Sequence, residues 1–361
     1  MLFRSDNAAM QWDLFCRVID NFGDIGVCWR LSADLASRGQ QVRLWVDEPS
    51  SLAWMAPDGA PGVNVLHWNQ LDPGVEPGDI VVEAFGCDPP EAFVQRMAAR
   101  PAPPMWINLE YLSAESYVER SHLLASPQLA GAAAGMTKWF FYPGFTAGSG
   151  GLIRETNLLQ RQRDFDAGQW LLSRQLQRHA QEQVVSLFCY DNPALPWLLD
   201  CLAQRPTLLL VTPGHASRQV EQALGRTRVH GNLRAIDLPY LTQFDYDHLL
   251  WASDLNFVRG EDSFVRAQFA ARPFIWQAYP QQGDAHAAKL DAFMGRFLNG
   301  ACADLRSQLL ALSAAWNFGG GVLPPLVVTR PWQAHCLAWR DHLLAQDVLA
   351  SQLLSFAAER R

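Results

Sequence analysis

Short apolar runs alternate with amphipathic stretches through most of this chain. Trp12–Ile19, Gln41–Val46, Val63–Trp68, Ile80–Phe85 and Met105–Leu109 have the near-continuous apolar character of buried strands. Val27–Ser37 and Pro90–Ala99 place apolar residues at helical spacing among them. A second series runs Val184–Tyr190, Thr207–Val211, Val229–Leu233, Leu255–Val258 and Phe274–Gln277. The segments Ala194–Gln204, Arg218–Leu224, Tyr246–Ala252 and Phe264–Ala271 separate these strands as helices. Such alternation predicts a doubly wound parallel sheet, twice over. With 361 residues, two domains are the expectation. Residues 144–183 open on a glycine-rich turn, become polar and helical, and read as the connection between halves. The helical tail after Trp332 is expected to pack back on the rest. Two Rossmann-like halves facing a central cleft form the α/β architecture of GT-B glycosyltransferases and of some sugar epimerases. The pattern does not choose the chemistry.

The loop after the first apolar run, Val18-Ile19-Asp20-Asn21-Phe22-Gly23-Asp24-Ile25-Gly26, sets two carboxylates four residues apart at the carboxyl end of a strand. Ligands of open α/β sheets bind at that edge. Either acid can serve as a general base or orient a cation, and capping of the following helix by Asp20 or Asn21 is the plainer alternative. The run Arg259-Gly260-Glu261-Asp262-Ser263-Phe264 occupies the equivalent turn in the second half. Its helix N-terminus suits a diphosphate, with Arg259 neutralising charge and Ser263 donating a hydrogen bond. Acid-and-serine capping explains the same residues without a ligand. Phe188 and Tyr190 share one strand face and could line a base or sugar pocket, as could Tyr240, Gln243 and Tyr246, although Phe188 alone reads as core.

Hydrophobic residues make up 49% and charged residues 18%, the composition of a folded globular chain. The net charge of −7, without a dense Lys/Arg run, argues against a nucleic-acid partner. Seven cysteines, odd in number and without a CxxC pair, suggest a reducing cytoplasm. No apolar stretch is long enough to span a bilayer, and no signal peptide precedes Trp12. His215, His248 and His286 lie too far apart for a metal motif, and GxSxG and P-loop patterns are absent.

The runs FCRVIDNFGDIGVCWRLSADLASRG, INLEYLSAESYVERSH, KWFFYPGFTAGSGGLIRE and NFVRGEDSFVRAQFAARPFIWQAYPQ, in this order, strongly resemble the EarP family of protein-arginine rhamnosyltransferases. The resemblance extends from about Trp12 to near the C-terminus. It implies a GT-B fold and inverting transfer of L-rhamnose from dTDP-β-L-rhamnose to an arginine of elongation factor P, activating that factor, with neither metal nor cofactor. It implies an acceptor-binding domain over 1–165, a linker over 166–183, a nucleotide-sugar domain over 184–337 and a C-terminal helix, 338–361, packed on the first domain. Asp20, Asp24 and Glu261 match the family's catalytic acids. Phe188, Tyr190, Tyr240, Gln243, Tyr246, Arg259, Asp262 and Ser263 match its nucleotide-sugar contacts.

The chemistry fits those assignments. A guanidinium is protonated and delocalised, hence a poor nucleophile. A carboxylate can align it through charge-assisted hydrogen bonds and take up a proton as the C–N bond forms. Asp20 is the expected base and Asp24 its support, while Glu261 is expected on a sugar or ribose hydroxyl. Two other readings stand beside this one: a nucleotide-sugar epimerase of the same plan, and a nucleotide-sugar-binding protein without catalysis.

Overall fold

A computed structural model describes residues 9–19, 22–280, 285–319 and 324–360. The chain divides into two compact units, Met1–Thr156 with Gln346–Arg361, and Asn157–Ala345.

The first unit holds strands β1 (Gln11–Cys16), β2 (Gln41–Val46), β3 (Val63–His67), β4 (Ile80–Ala84), β5 (Met105–Leu109), β6 (Ala125–Pro127) and β7 (Thr137–Phe141). Their order is β3-β2-β1-β4-β5-β7-β6, parallel except for the edge strand β6. Trp12, Leu14 and Cys16 point to one face and pack with Ile25, Leu31 and Leu35 of the helix Gly23–Ser37. Phe15 points to the other face, against Trp45 and Phe93. Asp13 also faces that side and is fully buried. It is tolerated because Arg43 clasps both its oxygens at 2.6 Å while Trp45 Nε1 and the Gly78 amide donate to it. The helix Leu349–Glu359 closes the first face, burying Leu353 and Phe356 there.

β1 stops at Cys16 rather than continuing to Ile19. The amides of Val18 and Ile19 leave the ladder and donate to the carboxylates of Asp47 and Asp24. β6 and β7 extend this sheet beyond the five strands expected from the pattern.

The second unit holds β8 (Gln183–Leu187), β9 (Thr207–Val211), β10 (Val229–His230), β11 (Leu233–Asp237), β12 (Leu255–Arg259) and β13 (Phe274–Gln277). Their order is β10-β11-β9-β8-β12-β13. The single strand expected over Val229–Leu233 is instead a hairpin, with β10 antiparallel to β11, and the parallel strand continues to Asp237. Residues 157–183 belong to this unit: Trp170 and Leu171 of the helix Ala167–Ser173 pack with Val184, Leu208 and Leu249. The tail divides, the helix Arg330–Leu344 falling in the second unit and Leu349–Glu359 in the first.

In both sheets the chain reverses winding direction beside the first strand, at β1/β4 and at β8/β12. These are the switch points where open α/β sheets present a crevice to ligands. The two sequence motifs follow β1 and β12.

Candidate active site

In the first unit, Asp24 lies in the first turn of the helix Gly23–Ser37 and is 3% exposed. Its Oδ2 accepts the Ile19 amide at 2.8 Å, and Tyr111 Oη donates to Oδ1 at 3.4 Å. Asp24 therefore ties down the end of the loop that carries the first motif. Asp20, with Asn21, lies outside the described residues. The helix begins at Gly23 with Phe22 in the capping position, and Phe22 supplies no side-chain cap.

In the second unit, β8 delivers Phe188 and Tyr190, β12 ends on Arg259, and the next helix, Asp262–Ala270, starts three residues later. The Arg259 guanidinium lies 4.5 Å from the Phe188 ring centroid and 4.2 Å from that of Tyr190. Phe188 is half-buried, so its ring supports a cation rather than filling a core. The Tyr190 amide donates to Gln277 Oε1 at 2.8 Å, fixing the chain after β8. Ser263 Oγ accepts the Arg259 amide at 3.2 Å and donates to the Arg259 carbonyl, closing the turn over Gly260. Trp276 Nε1 holds the Gly260 carbonyl at 2.8 Å.

Two polar atoms here are buried without a hydrogen-bond partner among the described residues: Arg259 Nη1 and Tyr246 Oη. Tyr246 stands edge-on to Phe188 at 5.8 Å. Burial pushes its phenol pKa well up, opposed by the nearby Ser263 hydroxyl. A buried donor left unmade is costly, and both atoms sit beside a helix N-terminus that favours negative charge. Asp262 lies in that helix's first turn, and Glu261 is its N-cap without a side-chain cap bond. Gln243 is buried at the start of the helix Gln243–Ala252, which Thr242 caps through the Asp245 amide. Tyr240 lies exposed in the preceding loop.

The structure thus gathers Phe188, Tyr190, Tyr246, Arg259 and Ser263 around one turn. Sequence reasoning did not single out Gln277 and Trp276, which brace that turn from β13. Nor did it single out Tyr111, which lies in the run INLEYLSAESYVERSH immediately after β5. Position just past a central strand's carboxyl end was the available signal.

A family model described as the elongation factor P rhamnosyltransferase EarP matches residues 12–358. A protein-arginine rhamnosyltransferase of Pseudomonas aeruginosa is 44% identical over 376 residues, covering 97% of this chain and 99% of that protein. A solved structure described as the structural basis for EarP-mediated arginine glycosylation of translation elongation factor EF-P superposes with a TM-score of 0.67 at 31% identity, covering 98% of this chain and 100% of that one. The kitacinnamycin glycotransferase superposes with a TM-score of 0.54 at 13% identity, covering 97% of this chain and 99% of that one, a likeness of fold alone. The fold is that of the GT-B glycosyltransferases.

Proposed function

This chain belongs to the elongation factor P rhamnosyltransferase EarP family, and we propose that it transfers a rhamnosyl group to an arginine side chain of elongation factor P. The donor in this reading is dTDP-β-L-rhamnose, bound in the second unit, and transfer inverts the anomeric centre. The observation that carries the donor site is the pair of unpartnered buried atoms, Arg259 Nη1 and Tyr246 Oη, at the N-terminus of the helix Asp262–Ala270. A diphosphate supplies the acceptor oxygens that both donors lack.

Phe188, Tyr190, Tyr240 and Gln243 hold the nucleoside or sugar, and Asp262 and Ser263 complete the cradle at the helix start. Glu261 receives a sugar or ribose hydroxyl. Asp20 takes the guanidinium proton as the C–N bond forms, and Asp24 holds the Ile19 amide just before it. The bond between the anomeric carbon and the diphosphate oxygen breaks, and its electron pair leaves as dTDP. Arg259 and the helix N-terminus stabilise that charge, so the reaction requires no cation or cofactor. No described helix is long and apolar enough to cross a membrane. The seven free cysteines fit work in a reducing cytoplasm.

Incubation with dTDP-rhamnose and elongation factor P, in the presence of a chelator, is expected to add one deoxyhexose to a single arginine of the acceptor, read by peptide mass spectrometry. An unmodified acceptor with an epimerised nucleotide sugar would replace this reading with an epimerase. An unmodified acceptor with an intact, bound donor would leave a binding protein.

A further inference from the structure

Tyr190 lies beyond the end of its strand, and part of what holds it there comes from an element outside the sequence motifs. β8 stops at Leu187, although the Phe188 amide still donates to the Phe257 carbonyl at 2.9 Å. Tyr190 and Asn192 are both buried. Their backbone groups must find partners away from the ladder, because a buried amide or carbonyl left unmade is costly.

Gln219 meets much of that need. It lies on the helix His215–Leu224, which follows β9. Its Nε2 donates to the Tyr190 carbonyl at 3.1 Å and to the His215 carbonyl of its own helix at 2.9 Å. Its Oε1 accepts the Asn192 amide at 2.7 Å. A side-chain amide carries a donor and an acceptor on one rigid fork, so a single residue holds a carbonyl and an N–H two positions apart. One turn earlier on the same helix face, His215 Nδ1 lies 2.8 Å from Asp191 Oδ1.

A second glutamine works from the opposite side. Gln277 Oε1 of β13 accepts the Tyr190 amide at 2.8 Å, and its Nε2 reaches the Asp191 carbonyl at 3.5 Å. Asn192 Nδ2 adds a bond to the Trp316 carbonyl at 2.9 Å. The chain through 190–192 is thus clamped by side chains rather than by the sheet.

That clamp sets the place of one ring. The Tyr190 ring lies 4.2 Å from the Arg259 guanidinium and stands edge-on to Tyr279 at 5.3 Å. Arg259 Nη1 has no hydrogen-bond partner among the described residues. A guanidinium recognises phosphate through a planar fork, and an aromatic face beneath it fixes that plane. Such groups work only when held within about 0.5 Å of their productive place. We propose that Gln219 is a positioning residue for the sugar-nucleotide donor. By holding the Tyr190 carbonyl and the Asn192 amide it keeps the Tyr190 ring under Arg259, and so keeps that guanidinium aimed at the diphosphate. Gln219 acts through Tyr190 and not on the donor itself. The assignment rests on the donor-site reading above and adds the helix His215–Leu224 to what builds that site.

A double-mutant cycle tests the route. Affinity for thymidine diphosphate is measured by titration calorimetry for the wild-type enzyme, Gln219→Met, Tyr190→Ala and the double variant. Gln219→Met keeps the side chain's length and removes its donor and acceptor. It should weaken binding about fivefold, the worth of one hydrogen bond. In the Tyr190→Ala background the same change should alter affinity by less than about twofold, since the ring it positions is gone. In the transferase assay Gln219→Met should raise the KM for dTDP-rhamnose and leave the KM for elongation factor P unchanged. Equal losses in the two backgrounds, or no loss in either, would overturn the assignment. Should Gln219→Met misfold, Gln219→Glu replaces it. That variant still accepts the Asn192 amide but turns a carboxylate oxygen toward two carbonyls, so the same coupled loss is expected and an uncoupled one counts against the proposal. A wild-type enzyme without affinity for thymidine diphosphate sinks the donor-site reading itself, whereas tight binding with an additive cycle sinks only Gln219.

Discussion

Tyr246 and Arg259 are costly side chains in the absence of a ligand, and that cost is informative. A buried hydroxyl without a partner destabilises a fold by about 1–3 kcal/mol, and Tyr246 Oη has none among the described residues. Tyr246→Phe should therefore leave the free protein as stable as wild type or raise its melting temperature. The same substitution should weaken thymidine diphosphate binding about 5- to 10-fold, the worth of one hydrogen bond. Calorimetry and a thermal melt on the one variant read both effects. A melting temperature that falls without ligand would mean that the hydroxyl already has a partner in the free protein. The reasoning differs for Asp24, whose two acceptor contacts are already made. It acts by holding the Ile19 amide, and its loss should appear as disorder at Arg17–Ile19 before it appears as lost chemistry.

Helices hold the donor site together as much as its lining residues do. Gln243 and Tyr246 ride on the helix Gln243–Ala252, and Asp262 and Ser263 on Asp262–Ala270. Arg266 spans the two, giving Nε at 2.8 Å and Nη2 at 2.7 Å to the carboxylate of Asp247, with Arg161 adding a third contact at 3.3 Å. Both side chains of the central pair are 1% exposed. Removing one partner of such a pair leaves the other charge buried, at about 3–5 kcal/mol. Asp247→Ala should lower the stability of the second unit by that amount in urea unfolding, and a change under 1 kcal/mol would refute this account of the pair. In the first unit, the equivalent brace is the helix Leu349–Glu359. The Leu349 amide reaches the Leu152 carbonyl at 2.9 Å. A Cβ at Gly151, where φ is +70, would fall on the Asp347 carbonyl oxygen just before that helix.

Across the whole chain, the second unit is one continuous segment while the first needs both ends of the sequence. A fragment of residues 157–345 should fold alone and gain thermal stability from thymidine diphosphate, because every donor contact assigned above lies within it. A fragment of residues 1–156 lacks Leu353 and Phe356 from its core and should not fold cooperatively. Circular dichroism melts of the two fragments decide the matter, and a folded 1–156 would show that the C-terminal helix is dispensable. Much of this organisation could be read from the chain. Apolar runs such as Leu255–Val258 and Thr207–Val211 marked strands because a strand buried on both faces must be apolar along its length. The turns after β1 and β12 were legible as candidate ligand sites because they lie at the carboxyl end of a strand, although acids and serine there serve equally as helix caps. Local sequence could not fix where β1 stops, since that depends on carboxylates at Asp47 and Asp24 drawing amides out of the ladder. Nor could it show that the polar stretch 157–183 joins the second unit, since Trp170 and Leu171 find their partners on strands far along the chain. Sequence determined the alternation, the switch-point loops and the residue types within them. The tertiary structure alone decided which polar atoms were left unpartnered among the described residues, at Arg259 and Tyr246. Burial and partnership are properties of three-dimensional neighbours, and no spacing along a chain records them.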